Sequence, residues 1–363
     1  MNAPEHLTSD DVIDRFREGR VIIVGGAGGT NVGDSFCRAA SELGLSAELV
    51  DSSDAMAPTA FAQKLLWHFG GRRPMHLSRF SKRLVASVAR DPAQILITTG
   101  AAPLTRRALA ELKALGVTCV NFSTDDPFNP IHHARWHVRS LPAYDIVFTP
   151  RRANIGDFAG LKCSNVCYLP FGYDPLLFKP VTVDSAARSR QTQVLFVGGA
   201  DRDRAAFFDA AGAAGLEPTL VGSYWERFQV KRGARLGQRS ASELCQLTAE
   251  AAVNLCLVRR ANRDGHVMRS FEIPAVGGFM IAEDTLEHRE IFGAEGSCVL
   301  YFTTPQQAAE KTNWALVNPA ERHRMAAAAN RHILLGKNTY RDRLLQILTP
   351  IAAIVPRQTE RPA

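Results

Sequence analysis

RSFEIPAVGGFMIAE, Arg269–Glu283, decides the fold. It reads as a loop, a short helix, a Gly277-Gly278 stop and a buried strand. Pro274 falls in what reads as the first turn, where amides lack intrahelical partners and a missing N–H costs little. The two glycines end the helix after barely two turns. Phe279-Met280-Ile281-Ala282 then reads as a short core strand. Glu272 sits near the helix start, in surroundings rich in Gly and Arg. A carboxylate there can accept hydrogen bonds from ribose hydroxyls, and free amides with arginines suit a diphosphate. The combination points to a nucleotide-sugar.

Outward from this stretch the chain alternates strand and helix. RVIIVGG (Arg20–Gly26), SAELVD (Ser46–Asp51), QILITTG (Gln94–Gly100), VTCVNFS (Val117–Ser123), YDIVFTP (Tyr144–Pro150) and NVCYLPF (Asn165–Phe171) read as strands. Helices are expected near Asp34–Leu43 and Thr105–Leu115. Phe171–Gln191 carries prolines and a polar run with little periodicity, which reads as an interdomain linker. A second alternating set follows: QVLFVGG (Gln193–Gly199), EPTLVG (Glu217–Gly222), AAVNLCLV (Ala251–Val258), GFMIAE and SCVLYF (Ser297–Phe302). Helices at Pro305–Leu316 and Pro319–Leu334 come after it. Strands alternating with helices imply doubly wound parallel sheets, here in two halves of an α/β protein.

Composition agrees. A chain of 363 residues is long for one domain and comfortable for two. Hydrophobic content of 46% and charged content of 22% are ordinary for a soluble protein. No apolar run reaches the length of about 18 residues that a membrane helix needs. The polar start MNAPEHLTSDDVIDRF lacks the apolar centre of a signal peptide. The seven cysteines form no pair of CxxC motifs, and several lie in apolar runs as buried thiols. A cytoplasmic location is expected. The net charge of +7 suits nucleic acid, an anionic membrane surface or anionic small substrates. Without basic tails, a zinc knuckle or an aromatic RNA-binding motif, nucleic acid drops out. The densest basic run is Gly71–Arg90, with Leu77, Phe80, Leu84, Val85 and Val88 at helical spacing. It reads either as an ordinary amphipathic surface helix or as a peripheral contact with the inner face of the membrane.

The loop IIVGGAGGTNVGDS invites a dinucleotide reading, with Asp51 ending the next strand. The fingerprint needs G-x-G-x-x-G, and Asn31 stands in the place of its third glycine. Any tight strand-to-helix turn uses glycines, so an NAD(P)-dependent oxidoreductase is a distant alternative.

The stretch Arg269–Glu283, with EDTLEHREIF (Glu283–Phe292) and NTYRDRLLQIL (Asn338–Leu348), resembles the donor-binding region of CgeB-like glycosyltransferases. These belong to the GT-B group, with a family 1/4-like donor domain. FSTDDPFNP (Phe122–Pro130), YDIVFTP and YLPFGYDP (Tyr168–Pro175) extend the resemblance over about two-thirds of the chain. It implies two Rossmann-like domains facing a central cleft. An acceptor-side domain would occupy 1–175, a linker 176–192 and a nucleotide-sugar domain 193–337. The segment 338–363, with Tyr340–Ile354 as helix, would cross back to the first domain. It further implies transfer of a sugar from a nucleoside-diphosphate donor to an acceptor hydroxyl on a glycan, lipid-linked or protein partner. No cofactor and no metal at the reacting centre are implied.

Site residues follow from the same resemblance. Many retaining GT-B enzymes carry two acids separated by seven residues, the first followed by glycine; Asp264-Gly265 and Glu272 resemble that pair. The first acid would lie near the reacting carbon and Glu272 at the ribose, with retention of configuration. Asp264 reads alternatively as a loop cap, and Glu272 as helix N-terminal charge. The Gly198-Gly199 turn with Arg202 and Arg204, and the cluster Arg259, Arg260, Arg263 and Arg269, are diphosphate candidates; Arg269 and Arg204 lead. His266, Ser270 and Phe271 complete the donor set. Asp125 and Asp126 end a strand at the carboxyl edge of the first sheet, as acceptor-side residue or base or as turn acids. His133 and His132 are further base candidates. The loop Gly26, Gly28, Gly29, Thr30 and Asn31 is expected on the acceptor side. A sugar-nucleotide epimerase and a non-catalytic sugar-binding protein are the rivals of a transferase.

Overall fold

The computed structural model describes residues 7–56, 59, 70–181 and 193–353. Contacts divide the chain into two units. One runs up to Pro170 and resumes at Tyr340; the other is Phe171–Thr339. Most of the expected linker, residues 182–192, and Ile354 at the end of the expected last helix lie outside the described residues.

Unit 1 is built on six parallel strands: β1 (Arg20–Gly25), β2 (Ser46–Asp51), β3 (Ile95–Thr99), β4 (Thr118–Phe122), β5 (Ile146–Thr149) and β6 (Val166–Tyr168). Their spatial order is β2-β1-β3-β4-β5-β6. The central strands are buried on both faces, which is why they read as continuous apolar runs rather than alternations. Edge strand β2 is only partly buried. The helices are α1 (Ser9–Phe16), α2 (Val32–Glu42), α3 (Leu77–Arg90), α4 (Arg106–Ala114), α5 (Arg135–Ser140) and α6 (Ala153–Gly160). α1, which the periodicity did not announce, starts on a capping box of Thr8 and Asp11. α3 turns Phe80, Leu84 and Val88 into the unit's core. Its apolar stripe is therefore used internally, and Arg79 and Lys82 face solvent. No helix among the described residues is long and apolar enough to cross a membrane.

Unit 2 holds β7 (Val194–Val197), β8 (Thr219–Val221), β9 (Ala234–Arg235), β10 (Val253–Cys256), β11 (Met280–Glu283) and β12 (Leu300–Phe302). They are again all parallel, in the order β12-β11-β10-β7-β8-β9. Its helices are α7 (Arg202–Ala213), α8 (Ala241–Glu250), α9 (Arg269–Val276), α10 (Leu286–Phe292), α11 (Pro305–Val317) and α12 (Pro319–Leu335). Phe196, Phe208 and Trp225 pack ring to ring in the core, with centroids 4.9 to 6.0 Å apart. Two-residue β9 escaped the sequence because it is too short to show a period.

The stretch that opened the sequence analysis folds as expected, with one correction. Pro274 lies inside α9 rather than in its first turn. A proline there removes an intrahelical hydrogen bond, so α9 stays short. The glycine stop has two separate causes. Gly277 adopts φ 95°, the left-handed C′ conformation. Gly278 passes so close to Asn254 that a Cβ would lie 2.8 Å from its Nδ2.

The last helix, α13 (Tyr340–Ala352), belongs to unit 1. It packs on α1 and α2 and buries Tyr340, Leu344, Ile347, Leu348 and Ile351. Phe36 of α2 stands edge-on between Phe122 and Tyr340, at 5.8 and 5.4 Å between centroids. Arg343 donates from Nε to the Pro170 carbonyl at 2.9 Å. Phe36→Ala empties the joint between sheet and last helix. We expect a loss of about 3–5 kcal/mol in urea unfolding followed by far-UV circular dichroism. An unchanged midpoint would show that α13 does not depend on Phe36.

Candidate functional site

In an open parallel sheet the loops at the carboxyl ends diverge where the strand order reverses, and ligands bind there. In unit 2 the chain steps outward from β7 to β8 and β9, then returns to β10 on β7's other side. The reversal thus lies between β7 and β10. The loop after β7 is Gly198-Gly199-Ala200-Asp201. Gly198 is forced by crowding: a Cβ would lie 2.8 Å from the Phe196 ring and 3.2 Å from an Arg204 nitrogen. A Cβ on Gly199 would lie 3.8 Å from an Arg259 nitrogen, so the two loops meet here.

Arg204 joins them. It is 8% exposed and donates to Gly199 O at 3.0 Å and Leu257 O at 3.3 Å. Its guanidinium also lies over the Phe196 ring. Asp201 caps α7 by accepting from Arg204 N at 2.9 Å. Burial lowers the Arg204 pKa, helped by Arg259, while Asp201 and Asp264 oppose it. Arg204 is therefore a strut between loops as well as a fixed cation. Arg259, half-buried, reaches Asp201 at 3.7 Å. Gly198, Gly199, Arg204, Arg259 and Asp264 come together; Arg202 and Arg263 are exposed around them. Arg263 adopts φ 54°, which turns the backbone into Asp264. Arg260 departs outward to Glu283, which accepts from it at 2.8 and 3.0 Å. A cavity of about 400 Å³ beside this junction is lined by Arg204, Leu257, Arg260, Glu283 and Thr304 among others.

Glu272 lies on α9 and is 4% exposed. It pairs with Arg269 one turn earlier, and Arg269 also lies over the Phe178 ring. Burial raises the Glu272 pKa; Arg269 opposes that and Asp174 adds to it. Between this pair and the Arg204 junction lies the Cys256 thiol at the end of β10. Burial pushes it up to about 12, and both Arg204 and Arg269 act on it.

Four expected donor residues point inward. A side chain at Gly265 would place its Cβ 2.3 Å from the Glu287 carboxyl carbon. His266 is buried, and its Nε2 accepts from Phe171 N at 3.0 Å. That leaves the proton on Nδ1, which donates to Glu287 at 2.5 Å. Ser270 and Phe271 are fully buried. The Ser270 hydroxyl accepts from Val267 N at 3.1 Å and meets His288 Nε2 at 2.8 Å. His288 Nδ1 in turn meets Glu283 O at 2.7 Å. These side chains hold the loop in place rather than presenting themselves. Sequence reasoning overlooked Glu287, Glu283 and His288, although all three sit in the EDTLEHREIF motif it singled out.

In unit 1 the order reverses between β1 and β3. The loop after β1 carries exposed Gly28 and Gly29 at φ 74° and 59°, and Thr30. Asn31 donates to Ala27 O and Gly28 O at 3.1 and 2.7 Å, so it closes the loop. Gly26 leaves room for it: a Cβ there would lie 3.0 Å from the Asn31 side chain. The close helix–strand approach that the missing third glycine would allow is made by Gly33, whose Cβ would lie 3.0 Å from Gly25 Cα. Asp51 accepts from Ser53 N and Oγ at 2.9 and 2.7 Å, capping the turn after β2. That local use gives Asp51 a structural role in its own turn. After β4, the adjacent acids separate. Asp126 is fully buried and accepts from Phe128 N and Asn154 Nδ2, both at 2.9 Å. It holds the loop, as Arg151 does by donating to Ser123 O and Thr124 O. Asp125 is exposed. His133 Nδ1 donates to Pro127 O at 3.1 Å, and His132 lines a small cavity with Asp125.

Residues 202–349 match the model of a family described as glycosyl transferase-like. No curated protein sequence matches the chain. Among solved structures, sucrose-phosphate synthase from Thermosynechococcus elongatus superposes with a TM-score of 0.67 at 12% identity, over 92% of this chain and 98% of that one. The Anabaena protein HepE, in complex with UDP and glucose, gives 0.61 at 12% identity over 93% and 100%. Trehalose 6-phosphate synthase from Burkholderia multivorans gives 0.59 at 14% identity over 95% and 99%. The fold is GT-B.

Burial lowers the His288 pKa to about 4. Its neutral form fits the network, so the stability it contributes is complete above the unfolded value near 6.5 and is lost as pH falls towards 4. We expect about 3 kcal/mol to disappear over that window in urea titrations. His288→Gln removes about half of the total loss, the rest belonging to buried His137, whose pKa burial also lowers to about 4. An equally steep loss in the variant would assign the effect to other groups.

Proposed function

We propose that this chain is a glycosyltransferase that moves a hexosyl group from a nucleoside-diphosphate donor to an acceptor hydroxyl, as a CgeB-like member of its fold group. The observation that carries this is the junction at the β7–β10 reversal. A glycine turn, two arginines and an aspartate meet there, inside the segment that matches the transferase family model. The Gly199 amide, Arg259 and Arg204 would bind the diphosphate. Leaving diphosphate gathers negative charge in the transition state. Fixed cations already held by Asp201 and backbone carbonyls stabilise it without reorganising. Asp264 would lie beside the sugar, and its spacing to Glu272 favours retention of configuration.

Glu272 would serve the ribose hydroxyls in exchange for part of its bond to Arg269. Arg269 would then turn its freed donors to phosphate. Unit 1 would bind the acceptor, with Asp125 rather than buried Asp126 as the acid available to a hydroxyl. In this scheme the arginines and amides carry the leaving-group charge, no metal acts at the reacting centre, and the protein works in the cytoplasm. The acceptor is a glycan, a lipid-linked saccharide or a protein side chain.

UDP is the first nucleotide to test, because HepE holds it in a related fold. Thermal shifts with UDP, GDP, ADP and their glucose conjugates are expected to single out one base. Saturation at 100 times Kd adds about 2.7 kcal/mol of stability. Arg259→Gln and Glu272→Gln each weaken binding roughly tenfold or more. No shift from any nucleotide sinks the proposal. A nucleotide-sugar consumed equally fast without any acceptor, giving an isomerised sugar, would identify an epimerase instead.

A further inference from the structure

Tyr224, in the loop after β8, adopts the left-handed conformation, φ 70° and ψ 3°. A bulky side chain is strained there, and glycine or asparagine would adopt it at less cost. The chain on either side imposes the conformation. Ser223 O accepts from Ala200 N at 2.8 Å, and Gly198 N donates to Val221 O at 2.8 Å. The Trp225 indole donates to Gly198 O at 2.9 Å, and its rings are held in the core against Phe196 and Phe208. A side chain on Gly222 would run into Gly198 O, so the loops after β7 and β8 lie in direct contact. Surroundings that fix the backbone so fully can hold a strained residue in place. They do not require that residue to be aromatic.

The ring itself does little for the fold. Tyr224 is 50% exposed, and its ring lies 4.3 Å from the guanidinium of Arg227, which is also exposed. A cation over a ring in open solvent contributes far less than a desolvated one. Arg227 therefore orients the ring more than it stabilises the unit, and half of the tyrosine's surface stays open. Beside it stands the Gly198-Gly199 turn, where the diphosphate is proposed to bind. A nucleoside diphosphate with its phosphates at that turn carries its base one ribose away, within reach of the loop that touches the turn. An exposed aromatic face accepts the flat face of any base. Strain at Tyr224, the openness of its ring and the contact of its loop with the turn thus have one explanation in common.

We propose that Tyr224 is the stacking platform for the nucleobase of the donor, with Arg227 orienting its ring. The proposal rests on the nucleotide-sugar reading above. Titration calorimetry of the full chain with UDP, GDP and ADP tests it; none of these carries a hexosyl group, so a lost contact to the sugar plays no part. Tyr224→Asn suits φ 70° and lacks a ring. It is expected to keep the melting temperature and to weaken every nucleotide that binds by about tenfold or more. Because stacking serves all bases, the order of the three affinities stays the same. Tyr224→Phe and Tyr224→Trp, which keep a ring, retain most of the affinity. Unchanged nucleotide affinity in Tyr224→Asn overturns the platform and leaves the transferase reading standing. An equal loss in all three variants also overturns it, since the ring is then not what the nucleotide needs. If the unaltered protein binds none of the three nucleotides, both ideas fall together.

Discussion

The hydrogen bond from Phe171 N to His266 ties three separate segments of unit 2 together. It catches the chain at the first residue of the unit and ties it to the loop that leads into α9. Because Nε2 accepts, Nδ1 carries the proton and donates a hydrogen bond to Glu287 of α10. Three distant pieces of sequence are thereby set by one neutral ring. Gly265 has no side chain because the Glu287 carboxyl occupies that space. Below it, Ser270 and His288 repeat the device, one hydroxyl and one imidazole joining α9 to the end of β11. Each link is buried and directional, so each rejects substitutes that only match in size. The charged residues proposed to hold the donor need this floor. An arginine can hold a diphosphate only if the backbone that carries it does not move.

How much of this the sequence showed depends on the range of the interaction. The strands were legible because burial on both faces demands continuous apolar runs. The end of α9 was legible because Gly-Gly is a local signal, though its two glycines act for different reasons. Pro274 was misplaced by part of a turn, since helix starts without a side-chain cap leave no mark, and α9 has none. The acidic pair at Asp125 and Asp126 looked like one feature. Asn154 and Arg151, remote in sequence, decide which of them is buried, and no local pattern encodes that choice. Likewise Arg204 read as a phosphate ligand by its place after a glycine turn. That two carbonyls already hold it depends on β10 lying beside β7, a fact of strand order alone.

The dinucleotide-like loop gives the same lesson from the other side. Its missing third glycine breaks the dinucleotide fingerprint, yet Gly33 makes the close approach to Gly25 from inside α2. A motif records one solution to a steric problem; the chain here uses another. Asp51, which ends the next strand as the ribose-binding acid of that fingerprint does, here caps its own turn through Ser53.

The return of α13 to unit 1 shapes how the protein is made. A ribosome delivers residues in order, and domains generally fold as they emerge, the N-terminal one first. Here the first unit emerges without the helix that covers Phe36 and α1, and Arg343 is not yet there to meet Pro170. The second unit is complete as soon as Thr339 clears the exit tunnel. The usual order of maturation is therefore inverted. The earlier-born half waits, with an apolar face open, until the segment that follows Thr339 has been made.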